Sequence, residues 1–162
     1  MKIVLSRIDN RLLHGITATQ WAPKTKAQRV MIIDDVVANN EMMKSTMKLA
    51  RPAGMAISII PLETALDNFK ANKYDGQSIF IIVKRVETLK RLIDEANVPI
   101  KEINIGATAQ IENEDEVLRV NRFTTIDEEE KKIYLELMDK GVDIYAKYLV
   151  ADPKQDLKDL LK

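Results

Sequence analysis

Short apolar runs recur along the chain: Ile3-Val4-Leu5, Val30-Met31-Ile32-Ile33, Met55-Ala56-Ile57-Ser58-Ile59-Ile60 and Ile79-Phe80-Ile81-Ile82-Val83. Apolar residues on consecutive positions, many β-branched, mark strands covered on both faces. They predict strands at 2–5, 29–33, 55–60 and 78–83, the last the most apolar and placed centrally. Glu102-Ile103-Asn104-Ile105 adds another, stopping at Gly106, with a short strand at 117–123 and an alternating one at 142–150. Between the strands the period changes to that of helices. A first helix runs from Thr17 to Ala22 and stops at Pro23. Its Trp21 is either a core anchor or part of an exposed docking surface. A second opens at Asn39-Asn40-Glu41 with an Asn cap and ends before Pro52 and Gly54. Its Met42, Met43 and Met47 read as core filler, with Lys44, Lys48 and Arg51 among them. Helices follow at 62–70 and 86–96. Thr125-Ile126-Asp127-Glu128 matches a capping box and starts a helix to Lys140, closed by Gly141. Asp152-Pro153 starts the last helix, to Leu161. Glu112 to Glu116 reads as a solvated acidic segment.

Strands alternating with helices of about ten residues describe an α/β protein. The expected architecture is a mostly parallel open sheet of six or seven strands with helices on both faces, in one domain over 1–162. Ligands of such sheets bind beyond the carboxyl ends of the strands. The loop after the first strand, Asp34-Asp35, Pro61, Lys84-Arg85 and Gly106 all fall at that edge.

Composition removes several chemistries. There is no cysteine, so disulfides, thiolate catalysis and Cys-ligated zinc are excluded. The single histidine, His14, is too few for a His-based metal site. A formal net charge of zero argues against nucleic acid. No apolar run is long enough to span a bilayer, and the N-terminus is charged too early for a signal peptide. The expectation is a cytoplasmic protein that needs no cofactor.

His14 lies in the loop Ser6 to Gly15, with Arg11 three positions before it and glycine after it. A nucleophile elbow, a dinucleotide fingerprint and a P-loop are all missing. The amides of Gly15, Ile16 and Thr17, at the start of a helix, can attract an anion, and Arg11 adds a permanent charge. A phosphoryl group carried on the imidazole would fit there. On spacing alone, a His14 that merely caps or packs the loop stays equally open.

The residues also carry a resemblance. Arg7-Ile8-Asp9-Asn10-Arg11-Leu12-Leu13-His14-Gly15, with Trp21 seven positions on, is similar to the signature of a bacterial family: the IIB component of the mannose/fructose/sorbose class of the phosphoenolpyruvate-dependent sugar phosphotransferase system. Val30 to Asn39 resembles that family's second strand and acidic turn, and Asn104-Ile105-Gly106 a later strand end. The resemblance implies a protein-phosphohistidine–sugar phosphotransferase. His14 would accept a phosphoryl group from a IIA protein, normally on Nδ1, and pass it to a sugar at the 6-hydroxyl. The sugar would be presented by the membrane components IIC and IID, so the chain would sit peripherally on that complex, with homo-oligomerisation left open. Arg11 would neutralise the phosphoryl oxygens. Asp9 would fix the loop or simply form its turn, and Arg7 would pair with a surface acid. The sugar leans to N-acetylgalactosamine or galactosamine.

Two departures stand out: Ile16 replaces the family's usual glutamine, and Met43 an arginine. Lys44 or Arg85 is then the candidate second basic group. A degenerate IIB-like regulator remains the alternative. A receiver-type signalling domain is disfavoured because the third strand ends at Pro61 rather than at an acceptor aspartate.

Overall fold

In the computed structural model, which describes residues 1–109 and 117–161, the apolar runs become one seven-stranded sheet. Its strands are β1 (Lys2–Asp9), β2 (Arg29–Ile33), β3 (Ala56–Ile60), β4 (Ser78–Val83), β5 (Glu102–Ala107), β8 (Asp143–Ala146) and β9 (Gln155–Asp156). The order is β3-β2-β4-β1-β5-β8-β9, parallel except for β9, which runs antiparallel to β8. A separate antiparallel hairpin joins β6 (Val117–Asn121) to β7 (Thr124–Asp127). The helices are α1 (Ala22–Thr25), α2 (Asp35–Ala38), α3 (Glu41–Lys48), α4 (Leu62–Lys70), α5 (Val86–Ala96), α6 (Glu128–Asp139) and α7 (Leu157–Leu160).

The two-residue period of each strand sorts side chains between two cores. Met31, Ile33, Ile79, Ile81 and Val83 join Leu66, Leu89, Leu92 and Tyr134 of α4, α5 and α6 in one. Val30, Ile32, Phe80 and Ile82 join Trp21, Val37 and Leu12 in the other. Both faces of β2 and β4 are therefore dry, which is why their sequences show no polar alternation. The central strand is β1, with β4 beside it.

Several boundaries differ from expectation. β1 does not stop at Leu5. Ser6 to Ile8 pair with β4, and Ser6 to Asp9 with β5, so the first charged residues of the expected loop lie within the sheet. β5 likewise continues through Gly106. The first helix passes through Pro23. It begins with a π-turn over Thr17–Trp21, closed by Ala22 N to Thr17 O, and Pro23 sits in the first turn of α1, where a missing N–H is tolerated. α2 was not expected. Asp34 caps it by accepting from Val37 N at 3.0 Å, and Asp35 accepts from Leu62 N at 2.9 Å, so the acidic pair anchors two helix starts. Asn40 caps α3 as expected, accepting from Met43 N. α3 buries no side chain fully: Met42 is 80% exposed and Met43 is exposed too, so neither is core filler, while Met47 packs against the second core as expected.

The later elements shift further. The expected strand at 117–123 is half of the β6–β7 hairpin. The expected strand at 142–150 ends at Ala146, freeing the carbonyls of Lys147 and Tyr148. Asp152 accepts from Leu149 N in a turn rather than capping a long helix, and only Leu157–Leu160 are helical near the end. The acidic run Glu112 to Glu116 lies outside the described residues.

The capping box of α6 uses Asp127 and Glu130, two residues later than Thr125 and Glu128. Glu130 is 6% exposed. Burial pushes its carboxyl up to about 7, helped by the Asp127 side chain and opposed by the Asp127 amide. The folded pKa lies above the ordinary 4.5, so the stability tied to protonated Glu130 is full below about pH 4.5 and is lost as pH rises towards 7. Through Glu130, urea unfolding is expected to show the chain less stable at neutral pH than near pH 5 by about 1–2 kcal/mol. Glu130→Gln keeps the amide acceptor without the charge and should flatten that slope. An equal slope in both proteins would contradict the assignment.

Candidate active site

The extension of β1 decides the site. Arg7 and Asp9 are two residues apart on one strand and so share a face. Both are fully buried. Arg7 Nε and Nη2 donate to Asp9 Oδ2 at 3.2 and 3.1 Å. Arg7 Nη1 donates to Asn104 Oδ1 at 2.5 Å and to the Lys147 carbonyl at 3.3 Å, and Nη2 also donates to the Tyr148 carbonyl at 3.2 Å. The guanidinium carbon lies 4.8 Å from the centre of the Trp21 ring. A surface acid was the expected partner of Arg7. The correction follows from register: Arg7 stands opposite Asn104 in the β1–β5 pairing, inside the sheet.

Asp9 spends both oxygens. Oδ1 accepts from Arg11 N at 3.0 Å, closing the loop, and Oδ2 also receives His14 Nε2 at 2.9 Å. Burial pushes the Asp9 carboxyl up, but the His14 hydrogen bond, the Arg7 charge and the Arg11 amide outweigh it, and its pKa sits below the ordinary value. Burial lowers the Arg7 pKa, with Asp9 pulling it back. A carboxylate with a buried arginine behind it therefore faces His14. The Oδ1 bond to the Arg11 amide is a turn-forming contact, and the Oδ2 contacts to Arg7 and His14 are additional to it.

The chain enters the helix through a strained turn. Leu12 adopts a positive φ of 58°, unusual for a γ-branched residue, and is held there by burial in the second core. Thr17 Oγ1 accepts from His14 N at 2.8 Å and can donate to the Leu12 or His14 carbonyl. Ala18 N donates to the His14 carbonyl at 2.8 Å, so the amides of Gly15, Ile16 and Thr17 lie ahead of that helical bond. The His14 side chain is 16% exposed. Of its two ring nitrogens, Nε2 is the one held by Asp9.

Hydrogen bonds join Arg7, Asp9, the Arg11 amide, His14 and Thr17, with Gly15 and Ile16 next to His14 in the chain. Arg11 is exposed, its Nη2 3.4 Å from Tyr148 Oη. Ile16 packs against the second core rather than reaching outward. The two candidates for a second basic group sit on other elements of the fold. Lys44 lies on α3, and Arg85 forms a two-pronged pair with Glu87 and approaches Asp127. Trp21 is a core anchor, its Nε1 donating to the Tyr148 carbonyl at 2.9 Å. Sequence reasoning set Gly106 at the ligand edge and Asn104 beside it at a strand end without a role for either, and it missed the Tyr148 carbonyl. Asn104 did carry a signal, as a polar residue inside an apolar strand. A backbone carbonyl carries none. Among the described residues no helix is long and apolar enough to cross a membrane, and no cluster of His, Asp and Glu could hold a metal ion.

Known proteins share this arrangement of chain. The chain is 28% identical over 162 residues to the fructose-specific EIIB component of Bacillus subtilis, covering 100% of this chain and 97% of that protein. It is 27% identical over 161 residues to the mannose-specific EIIAB component of Escherichia coli K12, covering 99% of this chain but 49% of that longer protein. Among solved structures, the IIBSor domain of the sorbose permease from Klebsiella pneumoniae superposes with a TM-score of 0.87 at 27% identity, over 98% of this chain and 95% of that one. The manxB structure from Thermoanaerobacter tengcongensis gives 0.88 at 30% identity, over 99% and 95%. Residues 3–162 match the family described as PTS system sorbose subfamily IIB component, and the chain belongs to that family.

Proposed function

We propose that His14 is the phosphoryl carrier of a sugar phosphotransferase, taking the group from phosphohistidine on a IIA partner and passing it to a sugar at the IIC/IID membrane components. Family membership supports a role in sugar phosphotransfer. The observation that carries the finer reading is the hydrogen bond from His14 Nε2 to Asp9. It holds the proton on Nε2 and leaves the Nδ1 lone pair to attack phosphorus while the donor's P–N bond breaks. Attack by a neutral ring leaves positive charge on the imidazole, and the Asp9 carboxylate stabilises it. Arg11 and the amides of Gly15, Ile16 and Thr17 neutralise the phosphoryl oxygens, the main requirement of such a transfer. In the second step the sugar 6-hydroxyl oxygen attacks phosphorus, its proton passes to solvent, and the P–N electron pair returns to Nδ1.

Incubation with phosphoenolpyruvate, the general phosphotransferase components and a IIA protein is expected to add one acid-labile phosphate, absent in His14→Ala. An acid-stable label, or one that persists in His14→Ala, would overturn the proposal. A label that reaches His14 but passes to no sugar in membrane vesicles would instead favour the regulatory alternative.

A further inference from the structure

Arg11 is exposed, and such a long side chain spreads over many rotamers unless something holds it. Among the described residues its guanidinium has one hydrogen-bond partner, Tyr148 Oη at 3.4 Å. Tyr148 is itself held from two sides. Its carbonyl accepts from Arg7 Nη2 at 3.2 Å and from Trp21 Nε1 at 2.9 Å. Its ring stacks on Phe123, with centroids 3.8 Å apart and planes 19° from parallel. Phe123 is pinned in turn. Its amide donates to Asn121 Oδ1 at 2.8 Å, its carbonyl accepts from Thr108 N at 2.9 Å, and the Arg122 guanidinium lies 4.7 Å from its ring centre. The buried arginine network and the β6–β7 turn thus converge on one phenol, whose hydroxyl meets the loop cation.

We propose that Tyr148 is a positioning residue: it aims Arg11 at the phosphoryl group on His14. The inference rests on the carrier role proposed above. Arg7 ties the Tyr148 carbonyl to Asp9, and Asp9 holds both the Arg11 amide and the His14 ring. One framework therefore sets the phenol and the imidazole together. A guanidinium has five N–H donors. One spent on Tyr148 leaves the others for phosphoryl oxygens, and the rotamer freedom of Arg11 is given up before the phosphoryl group arrives. The β6–β7 hairpin, separate from the main sheet, takes part in the site by setting the plane of the Tyr148 ring.

The test is Tyr148→Phe in the full chain. It removes the hydroxyl and keeps the stack and the carbonyl, so urea unfolding should match wild type. Loading of His14 by a phosphorylated IIA protein should slow about fivefold, the worth of one hydrogen bond. The second ionisation of the phosphoryl group, followed by ³¹P NMR, should move to higher pH, because a loosened cation favours the dianion less. In an Arg11→Ala background the same substitution should change neither quantity. In the unphosphorylated chain, ¹⁵N relaxation at Arg11 Nε should report a more mobile side chain in Tyr148→Phe. Unchanged loading and ionisation in Tyr148→Phe overturn the proposal, and so does unchanged mobility of Arg11. An effect that persists in the Arg11→Ala background overturns it too, since Tyr148 would then act without Arg11. A wild type that takes no label on His14 sinks the carrier reading and the aiming with it. A labelled wild type matched by Tyr148→Phe sinks the aiming alone.

Discussion

Replacing Gly106 with alanine is expected to destabilise the fold by about 3–5 kcal/mol and to slow loading of His14. A Cβ at this position would fall inside contact distance of Arg7 Cζ and Nη2, and 2.6 Å from Arg7 Nε. The end of an arginine side chain can ordinarily swing away. Here it cannot, because its N–H groups are committed to Asp9, Asn104 and the carbonyls of Lys147 and Tyr148, with Trp21 packed against it. Moving the guanidinium leaves Asp9 a buried charge without its partner. Gly106 is therefore required for space, not for backbone freedom. Urea unfolding measures the loss, and repeating it in an Arg7→Met background separates the cause. With the guanidinium gone the alanine should cost under about 1 kcal/mol. A stable, normally labelled Gly106→Ala protein would contradict the packing argument.

Asp9→Asn is expected to lower the rate of His14 phosphorylation by roughly a hundredfold or more, as happens when a carboxylate that fixes a catalytic imidazole is made neutral. It should also lower stability by about 3 kcal/mol at neutral pH, since buried Arg7 loses its counter-charge. The acid limb gives a further readout. The Asp9 pKa is depressed in the folded state, so its stabilisation is present above the ordinary aspartate value of 3.8 and is lost as pH falls through the lower folded value. The gap between wild type and Asp9→Asn should therefore close at acid pH. A positioning role also predicts the site of phosphorylation. With the Nε2 proton no longer held, the label in Asp9→Asn should divide between the two ring nitrogens, resolved by ³¹P and ¹⁵N NMR. A label confined to Nδ1 would rule out tautomer control by Asp9.

The sheet was legible because β2 and β4 are buried on both faces and their sequences say so directly. The candidate residue was legible for a different reason: one histidine follows a strand, with an arginine three positions before it. The partners of Arg7 were not. Charged residues at positions 7 and 9 look like the start of a loop, and only the parallel register with β5 shows that they stay in the sheet. Gly106 reads as a strand end for the same reason, since a missing side chain does not announce what fills its place. The short α2 was hidden behind an acidic pair that suggested a ligand site and proved to cap helices. The late segments misled because Asp152-Pro153 carries a helix-start pattern, while pairing of Gln155 with Ala146 holds that stretch extended.

The carbonyls that hold Arg7 come from Lys147 and Tyr148, the latter 141 positions away in sequence. The support of His14 is thus assembled from residues far apart in the sequence, a long-range contact of the kind that slows folding. A nascent chain interrupted after β5 would display His14 and Arg11 on an unfinished frame, with Asp9 unanchored. On the role proposed for His14, readiness to take phosphate would double as a report that the last strands have docked. An incompletely folded chain would be screened out of the relay without any separate inspection step.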